Sequence, residues 1–514
     1  MNRFILFYHM SAAVITAAFL ALMCLLRWVW FDIDDVVIAA TGVVMPWSFA
    51  VTIAAAGSFF YLLALAASDI AALRDGRPAF FRFGAKALPG IVLVLWGALG
   101  AVLYLETRGS VWFTPATGYT VPEALRGADG KAVDSADTWM KKRRPEIIKL
   151  FETDVYGKIP PGKTRTSFRE LSRAENALDG RAVRREVLVT VEAPRGKLEM
   201  TVLLYLPKNR KGPVPAFLAM NFYGNQAVHK DPGITITRNW VANYRRLGIR
   251  KNRAGEASRA GRGSKWPVER IVERGYALAT VYYGDVDPDF DDGFRNGAHP
   301  LYSRPGQTRP DPGQWGSISA WAWGLSRVMD FLARDRDIDG ERVVVMGHSR
   351  LGKTALWAGA LDERFAAVVS NNSGCMGAAL SRRRYGETVA LINKKFPHWF
   401  CDNFKKYNDR ENELPVDQHM LIALIAPRPV YVAGASGDGW SDPEGEFLGA
   451  CNASSVYRLF GYEGLTCGAM PRAMKPLRGR IAFHLRTGRH DVTLWDWERY
   501  MDWADRQLKT KNND

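Results

Sequence analysis

The most extended pattern along the chain is a set of three apolar runs near its start, over residues 4–26, 36–68 and 88–105. Each is long enough to cross a bilayer as a helix, which takes about 20 residues. A signal peptide does not account for the first run, because no small-residue cleavage site precedes the acidic residues 32–35 and two further runs follow. The pattern predicts a transmembrane segment of three helices over residues 1–108, the second of which begins near Pro46.

Charges between these runs predict the orientation of the segment. Four basic residues lie between the second and third runs, and three acidic residues follow the first run. They are Arg74, Arg77, Arg82 and Lys86, and Asp32, Asp34 and Asp35. Because loops rich in Lys and Arg stay in the cytoplasm, we expect a multi-pass inner-membrane protein. The chain after Glu106 would lie in the periplasm or outside the cell.

Beyond the apolar runs the pattern changes to short strands and helices. Residues 109–136 are rich in Gly, Pro and Thr and predict a linker or an arm laid on the following domain. The predicted strands are residues 187–192, 199–205, 215–220, 275–283, 343–346, 365–370, 428–433 and 480–485. The predicted helices are residues 137–156, 318–335 and 495–507, with another beginning at Thr354. Strands alternating with helices predict a doubly wound, mostly parallel α/β domain over residues 137–514.

Composition adds a strong positive charge to this picture. The 514 residues carry a formal net charge of +16, which can indicate nucleic acid, a membrane surface or an acidic substrate. No Lys/Arg block interleaved with aromatic residues occurs, and no nucleic-acid fold signature is present. We therefore expect the basic residues to be spread over a solvated surface, with no nucleic-acid partner.

Cysteine usage gives no sign of a metal site. Five cysteines are present but none forms a Cys-x-x-Cys pair, so neither a zinc site nor another metal or cofactor is expected. In an exported domain the four cysteines of the C-terminal half could form two disulfides. Proximity in sequence favours Cys375 with Cys401 and Cys451 with Cys467.

Residues 343–360 carry the clearest chemical signal. An apolar β-branched run leads into a sharp turn around Ser349, and a helix follows. This order is typical of the nucleophile elbow, in which a strained turn holds a serine Oγ clear of a sheet and aims the next backbone N–H at a developing oxyanion. The glycine of the usual Gly-x-Ser-x-Gly pattern comes one residue late, at Gly352.

An activated serine needs a base and an orienting acid, which follow it in the order acid, then His. His490 lies in a loop directly after the last predicted strand, whereas His484 lies within that strand and is expected to be a packed core residue. Asp438 follows the preceding strand and is the natural acid, and Asp442, before Pro443, is the alternative or a turn-former. The loop at residues 221–225 could supply a second oxyanion N–H.

With these residues in place, the chain resembles the bacterial glucuronoyl esterases of carbohydrate esterase family 15. The nucleophile motif of that family is Gly-x-Ser-Arg-x-Gly-Lys, and residues 347–353 fit it throughout, which accounts for the displaced glycine. The resemblance runs from about Trp139 to the end, through RRPEIIKLFETDVYGKIPP, MNFYGNQ, SGCMGAALSRRRYGET, FPHWFCDNF, DGWSDPEGEF and GRHD. It implies an α/β-hydrolase fold for this part of the chain and does not cover the first hundred residues.

The resemblance also implies a role for each candidate residue. Ser349 would be the nucleophile and His490 the general base, and Arg350 would add its guanidinium to the oxyanion hole. Lys353, Glu387 and Trp440 would hold the hydroxyls and ring face of the glucuronoyl unit.

One position departs from the family pattern. Many members carry their acid as a Glu just before Ser-Gly on the strand after the nucleophile, where this chain has Asn372. An amide cannot stabilise an imidazolium by charge, so the acid should be Asp438.

The sequence thus predicts a membrane-anchored serine esterase that needs no cofactor or metal. Its substrates would be esters of glucuronic acid, or of the 4-O-methyl ether, on fragments derived from glucuronoxylan. Two alternatives stay open. The enzyme could act on acetylated or feruloylated sugars or on a small-molecule ester, or the protein could be an inactive, membrane-held carbohydrate-binding protein.

Overall fold

The computed structural model describes residues 36–38, 43–45, 118–162 and 164–508. The chain divides into two units, Met1–Arg108 and Gly109–Asp514. Two short strands of the first unit, β1 (Val36–Ile38) and β2 (Val43–Met45), pair antiparallel before Pro46. Apart from these two strands, the segment predicted to form three membrane helices lies outside the described residues. Within the ranges that are described, no helix is long and apolar enough to span a bilayer.

A nine-stranded mixed sheet organises the second unit. Its strands are β3 (Arg165–Asn176), β4 (Ala182–Ala193), β5 (Gly196–Pro207), β6 (Val214–Asn221), β7 (Ala277–Tyr282), β8 (Ile338–His348), β9 (Ala367–Asn371), β10 (Val430–Ala435) and β11 (Ile481–Arg486). Their spatial order is β11-β10-β9-β8-β6-β7-β5-β4-β3. The pairs from β11 to β7 are parallel, and β5, β4 and β3 continue the sheet antiparallel.

Helices cover both faces of the parallel part. The helices are α1 (Arg144–Asp154), α2 (Val268–Glu273), α3 (Ser317–Leu332), α4 (Arg350–Leu361), α5 (Val389–Lys395), α6 (Gln418–Ala423), α7 (Pro443–Arg458) and α8 (Leu494–Gln507). Successive side chains of a strand point to opposite faces. Val343 and Val345 of β8 accordingly join one core cluster, whereas Val344 joins the other. The first cluster includes residues of α1 and of α3 to α7, and the second includes those of α2 and α8.

The mostly parallel sheet with helices on both faces confirms the predicted α/β class and is consistent with an α/β-hydrolase fold. All eight predicted strands are present, and four of them, β4, β5, β6 and β8, are longer than predicted. The sequence pattern missed β3, an edge strand on which neither face is buried along its length. It also missed α7, whose apolar residues are interrupted by glycines and polar residues.

The predicted disulfides are wrong in this structure, which holds Cys375, Cys401, Cys451 and Cys467 as free cysteines. The thiol of Cys401 instead lies 3.7 Å from the carbonyl oxygen of Thr153, and burial raises its pKa to about 12.

The order of the strands places a crevice where a site can form. After β6 the chain adds β7 on one side of β6 and then β8 on the other side. Ligands of open α/β sheets bind outside the carboxyl ends of the strands at such a switch point. The carboxyl end of β8 leads directly into Ser349, and that of β6 into Phe222.

Candidate active site

Ser349 lies at the junction of β8 and α4 in a strained backbone conformation, with φ 59° and ψ −131°. Its N–H donates to the carbonyl of Asn371, 2.9 Å away on β9. The two glycines of the motif, Gly347 and Gly352, occupy positions where there is no room for a side chain. A Cβ on Gly347 would lie 1.8 Å from the carbonyl oxygen of Leu351, and one on Gly352 would lie 2.9 Å from the Cβ of Ser373. A serine kept in this sparsely populated region is a mark of a functional site.

His490 and Asp438 meet at the neighbouring strand ends. His490 Nδ1 lies 2.6 Å from Asp438 Oδ2. The Asp438 side chain is only 3% exposed and the His490 side chain is 38% exposed, so this pair has a buried acid and an accessible ring. Among the described residues, Ser349 Oγ makes no hydrogen bond to His490. Such a bond is often long in a site without substrate and tightens when substrate binds.

Asn372 contacts the same carboxylate. Its Nδ2 donates to Asp438 Oδ2 over 2.7 Å. Burial is the largest influence on the Asp438 pKa and raises it. The hydrogen bond and charge of His490, with hydrogen bonds from Ser441 and Asn372, outweigh burial and hold the pKa below its ordinary value. Asn372, expected from the resemblance to stand where many members carry an acid, therefore donates a hydrogen bond to the Asp438 carboxylate.

The alternative acid, Asp442, has a different role. It is the N-cap of α7, accepting from the N–H of Gly445 at 3.0 Å, and its other oxygen lies 2.8 Å from Arg383 Nε. Burial raises the Asp442 pKa, with the hydrogen bond and charge of Arg383 opposing that rise. Asp442 thus serves a helix end and an ion pair.

A second histidine packs against His490. The ring centroids of His348 and His490 are 4.7 Å apart, and His348 Nδ1 lies 2.6 Å from Asn371 Oδ1. Burial, and then the charge of His490, lower the His348 pKa to about 3. His348 is therefore neutral at physiological pH. His484, by contrast, is fully buried within β11, with Nε2 2.9 Å from Asp496.

Arg350, on the first turn of α4, is held by a carboxylate that sequence reasoning missed. Asp289, in the loop after β7, is paired with its guanidinium. The same carboxylate accepts from Trp399 Nε1 at 2.7 Å and Tyr283 Oη at 3.0 Å and lies 2.9 Å from His398 Nε2. Burial raises the Asp289 pKa, but the charge of Arg350 and these donors hold it well below its ordinary value. Only its place after a buried strand could have singled it out, and several other Asp residues share that loop.

Three aromatic rings surround the Arg350 guanidinium. Its central carbon lies 4.6 Å from the ring centroid of Trp399, 5.1 Å from that of Phe396 and 5.8 Å from that of Phe222. A quarter of the Arg350 side chain remains exposed. The cation is therefore oriented by both charge and stacking, with part of its surface open to a ligand.

The three residues expected to hold a sugar come from three segments: Lys353 from α4, Glu387 from the loop before α5, and Trp440 from the loop after β10. Lys353 is buried and donates to the carbonyls of Ser373 at 2.5 Å and Cys375 at 2.6 Å. Its Nζ lies 3.5 Å from Glu387. Trp440 is 40% exposed, and its backbone carbonyl accepts from the Glu387 N–H at 3.0 Å. The structure thus brings Lys353, Glu387 and Trp440 into one cluster.

Glu446 of α7 is a further buried carboxyl group, and no sequence pattern singled it out. One oxygen accepts from the N–H groups of Ser373, at 2.6 Å, and Gly374, at 3.0 Å. Its other oxygen has no hydrogen-bond partner. Burial raises the Glu446 pKa well above its ordinary value, and the charge of Asp438 adds to the rise. This group fixes the loop that carries Asn372.

Taken together, a strained serine, an accessible imidazole with a buried acid, and an oriented guanidinium can perform nucleophilic acyl transfer. Within residues 118–162 and 164–508, no group of His, Cys, Asp or Glu side chains is arranged to hold a metal ion.

Several known proteins are similar to this chain in sequence or structure. A family model described as "Glucuronyl esterase, fungi" matches residues 309–461, which include Ser349 and Asp438. A solved CE15 esterase from a marine bacterial metagenome is 50% identical, with a TM-score of 0.71 over 76% of this chain and 97% of that one. The carbohydrate esterase MZ0003 of an unknown prokaryotic organism is 50% identical over 390 residues, which are 76% of this chain and 90% of that protein.

The chain belongs to carbohydrate esterase family 15. As a member it is a carboxylic ester hydrolase. A glucuronoyl esterase from Solibacter usitatus, 48% identical with a TM-score of 0.71, covers 77% of this chain and 99% of its own. A fungal relative, the 4-O-methyl-glucuronoyl methylesterase of Podospora anserina, is 39% identical over 129 residues, which are 23% of this chain and 26% of the fungal protein. These similarities confirm the resemblance that the nucleophile motif suggested.

Proposed function

We propose that the protein hydrolyses esters in which glucuronic acid, or its 4-O-methyl ether, on a xylan fragment is joined to an alcohol. The observation that carries the proposal is the placement of Ser349 and Arg350 next to each other at the elbow, beside the His490–Asp438 pair. The names of the bacterial and fungal relatives support the choice of a glucuronoyl ester.

In the proposed mechanism Ser349 Oγ attacks the ester carbonyl and transfers its proton to His490. Asp438 holds the imidazole by its Nδ1 and stabilises the imidazolium. The Arg350 guanidinium and the free N–H groups at the start of α4 face the developing oxyanion. His490 then protonates the departing alcohol, and a water activated by His490 releases the glucuronate from Ser349. No step requires a metal or cofactor.

The sugar acid would bind beside Trp440, with its ring face on the indole. Glu387, and the Lys353 ammonium that Glu387 orients, would hold the hydroxyls by charge-assisted hydrogen bonds. This assignment places the glucuronoyl unit on the β9 and β10 side of Ser349. The alcohol is then on the β6 side, near Phe222.

Purified full-length protein tested on benzyl glucuronate, with Ser349→Ala as control, decides the proposal. Cleavage should fall about 10⁴-fold or more in the variant, because removing the nucleophile removes the acyl-enzyme route. Absent cleavage, or equal cleavage by the variant, would refute it. A relative of 50% identity is described as a promiscuous esterase, so methyl galacturonate, acetyl-xylan and feruloyl esters belong in the same assay. A preference for any of these would move the assignment to a broader carbohydrate esterase.

We also propose that residues 1–108 anchor the enzyme in the inner membrane, with residues 109–136 as a linker and residues 137–514 as the catalytic domain in the periplasm or outside the cell. The apolar runs and the charges between them support this. Protease added to intact spheroplasts should degrade the catalytic domain, and protection of that domain would contradict the topology. A periplasmic site favours xylan fragments over intact polymer as substrates.

A further inference from the structure

Half of the net positive charge of the protein lies in one loop between β6 and α2. Residues 238–265, here called the cationic loop, contain nine Arg or Lys residues and one carboxylate, Glu256. Nine cations against one anion leave an excess of eight, out of a net +16 for the whole chain. The basic residues were expected on a solvated surface, and in this region they are concentrated in one loop.

Most of these cations face solvent without a carboxylate partner. Six of the nine are exposed, namely Arg238, Arg245, Arg246, Arg250, Lys251 and Arg253. None of the six forms an ion pair with any residue in the described ranges, and Glu256 is already paired with Arg259. Arg270, which follows the loop on α2, is paired with both Glu273 and Glu498. A group of like charges left without counter-charges strongly attracts anions.

Hydrogen bonds and buried residues hold the backbone of the cationic loop in place. Val241 and Asn252 are joined by hydrogen bonds of 3.1 Å from Val241 N–H to the Asn252 carbonyl and from Asn252 Nδ2 to the Val241 carbonyl. Tyr244 and Ile249 exchange backbone hydrogen bonds of 3.1 and 3.2 Å around a tight turn that carries Arg245 and Arg246. Val241 and Ile249 are buried in the main core.

Its position is beside the candidate active site. The ring of Trp240 lies 4.6 Å from that of Phe290, which follows the Arg350 partner Asp289. The Arg262 guanidinium lies 4.8 Å from the ring centroid of Tyr223, which follows Phe222, and 4.9 Å from that of Tyr244.

The C-terminal end of the cationic loop contacts the segment that carries His490. Lys265 is paired with Asp491, the residue after His490. The two ends of the cationic loop thus contact the segment after β7, which carries Asp289, and the segment after β11, which carries His490.

We propose that the cationic loop is an accessory site for free uronate carboxylates on the same polysaccharide fragment that carries the ester. The proposal rests on the proposed function. The scissile glucuronoyl group is an uncharged ester, whereas unesterified glucuronates elsewhere on the fragment are anions at neutral pH. Arginine's planar fork matches a carboxylate in bidentate geometry. An anionic lipid surface seated on the loop would instead cover the mouth of the site, which favours the polysaccharide.

Binding of unesterified glucuronoxylan fragments to the full-length protein tests the proposal by calorimetry, because without an ester no turnover interferes. The matched probe is the same fragment after its carboxyl groups are reduced to alcohols. The test variant replaces four exposed cations, as Arg245→Gln, Arg246→Gln, Arg250→Gln and Arg253→Gln together. We expect affinity for the acidic fragment to fall about tenfold in this variant, at a few tenths of a kcal/mol per exposed charge pair. Added salt should weaken wild-type binding in the same way.

The control removes four exposed cations outside the loop, as Arg165→Gln, Arg169→Gln, Lys208→Gln and Lys211→Gln. Affinity unchanged in the loop variant, or an equal fall in the control variant, would overturn the proposal. So would equal binding of the carboxyl-reduced fragment by wild type, or loop-dependent binding of glycerol phosphate, the charged part of an anionic lipid headgroup, that exceeds binding of the fragment. Loss of benzyl glucuronate cleavage alone would refute the proposed function and leave this binding result standing.

Discussion

Two buried aspartates lie on either side of Ser349, and each contacts a nitrogen-containing side chain at the carboxyl edge of the sheet. Asp289, after β7, holds the Arg350 guanidinium, and Asp438, after β10, holds the His490 imidazole. Both carboxyl groups have a pKa below the ordinary value, and both are at most 4% exposed. The partners differ, because a guanidinium stays charged at any accessible pH whereas an imidazole gains and loses a proton.

The surroundings of the two carboxylates follow from that difference. Asp289 is surrounded by Arg350, His398, Trp399 and Tyr283, and a buried charge pair is stable only when such additional hydrogen bonds satisfy it. Asp438 lies beside a ring that is 38% exposed and can reach a substrate. We infer that Asp289 keeps the charged Arg350 guanidinium in a fixed position. Asp438, by contrast, supports an imidazole that can accept and release a proton.

Removing the negative charge of Asp289 should lower kcat more than weakening the contacts of Asp438, because Asp289 orients the guanidinium that faces the oxyanion. In Asp289→Asn the amide cannot match the charge of Arg350, so the guanidinium loses its orientation, and we expect kcat to fall about 10²-fold with a smaller change in KM. Steady-state kinetics on benzyl glucuronate measure this. Asp291→Asn, an exposed position on the same loop, is the control. A KM effect with kcat intact would show that Asp289 positions substrate and not the transition state.

Weakening the hydrogen bonds to Asp438 should lower kcat by a smaller factor. Asn372→Ala removes one hydrogen bond to Asp438, worth about 1 kcal/mol, and kcat should fall several-fold. The Asp438 pKa should rise, because a donor that favours the carboxylate is gone, and NMR titration of the Asp438 carboxyl carbon measures that rise. A fall in kcat with an unchanged Asp438 pKa would count against contact through Asp438.

Glu446 should affect stability more than rate. Its folded-state pKa is raised, so the folded protein keeps a proton that the unfolded chain loses above about pH 4.3, and wild-type stability falls as pH rises through that window. Glu446→Gln cannot titrate and keeps a carbonyl oxygen for Ser373 and Gly374. Urea unfolding should show the variant gaining on wild type as pH rises above about 4.3, by up to about 1.4 kcal/mol per pH unit until the folded-state pKa is reached. A constant difference across pH would contradict a buried, protonated Glu446.

Residues directly after buried strands were predictable from the sequence. Ser349, Asp438 and His490 each follow an apolar run, and parallel strands bring such positions to one edge. Asp289 follows a strand too, but it shares a long polar loop with Asp285, and nothing local shows which carboxylate the fold turns inward.

Long-range contacts account for the other features that were missed. Glu446 lies in a helix, and its contact with the loop after β9 depends on how the helix packs. The cationic loop was not recognised, because composition does not show whether carboxylates from other parts of the chain lie near its basic residues. The edge strand β3 escaped notice because it lacks the apolar alternation of a half-buried strand.

The most direct test of the account compares Asp438→Asn with Asp442→Asn, two buried aspartates four residues apart. Asp438→Asn should lower kcat by about 10³- to 10⁴-fold, because His490 loses the charge that stabilises its imidazolium and fixes its tautomer. Asp442→Asn should keep kcat within a few-fold while lowering the free energy of unfolding, since Arg383 loses its buried partner. Wild-type kcat in Asp438→Asn, or the large fall in Asp442→Asn instead, would contradict Asp438 as the acid behind His490.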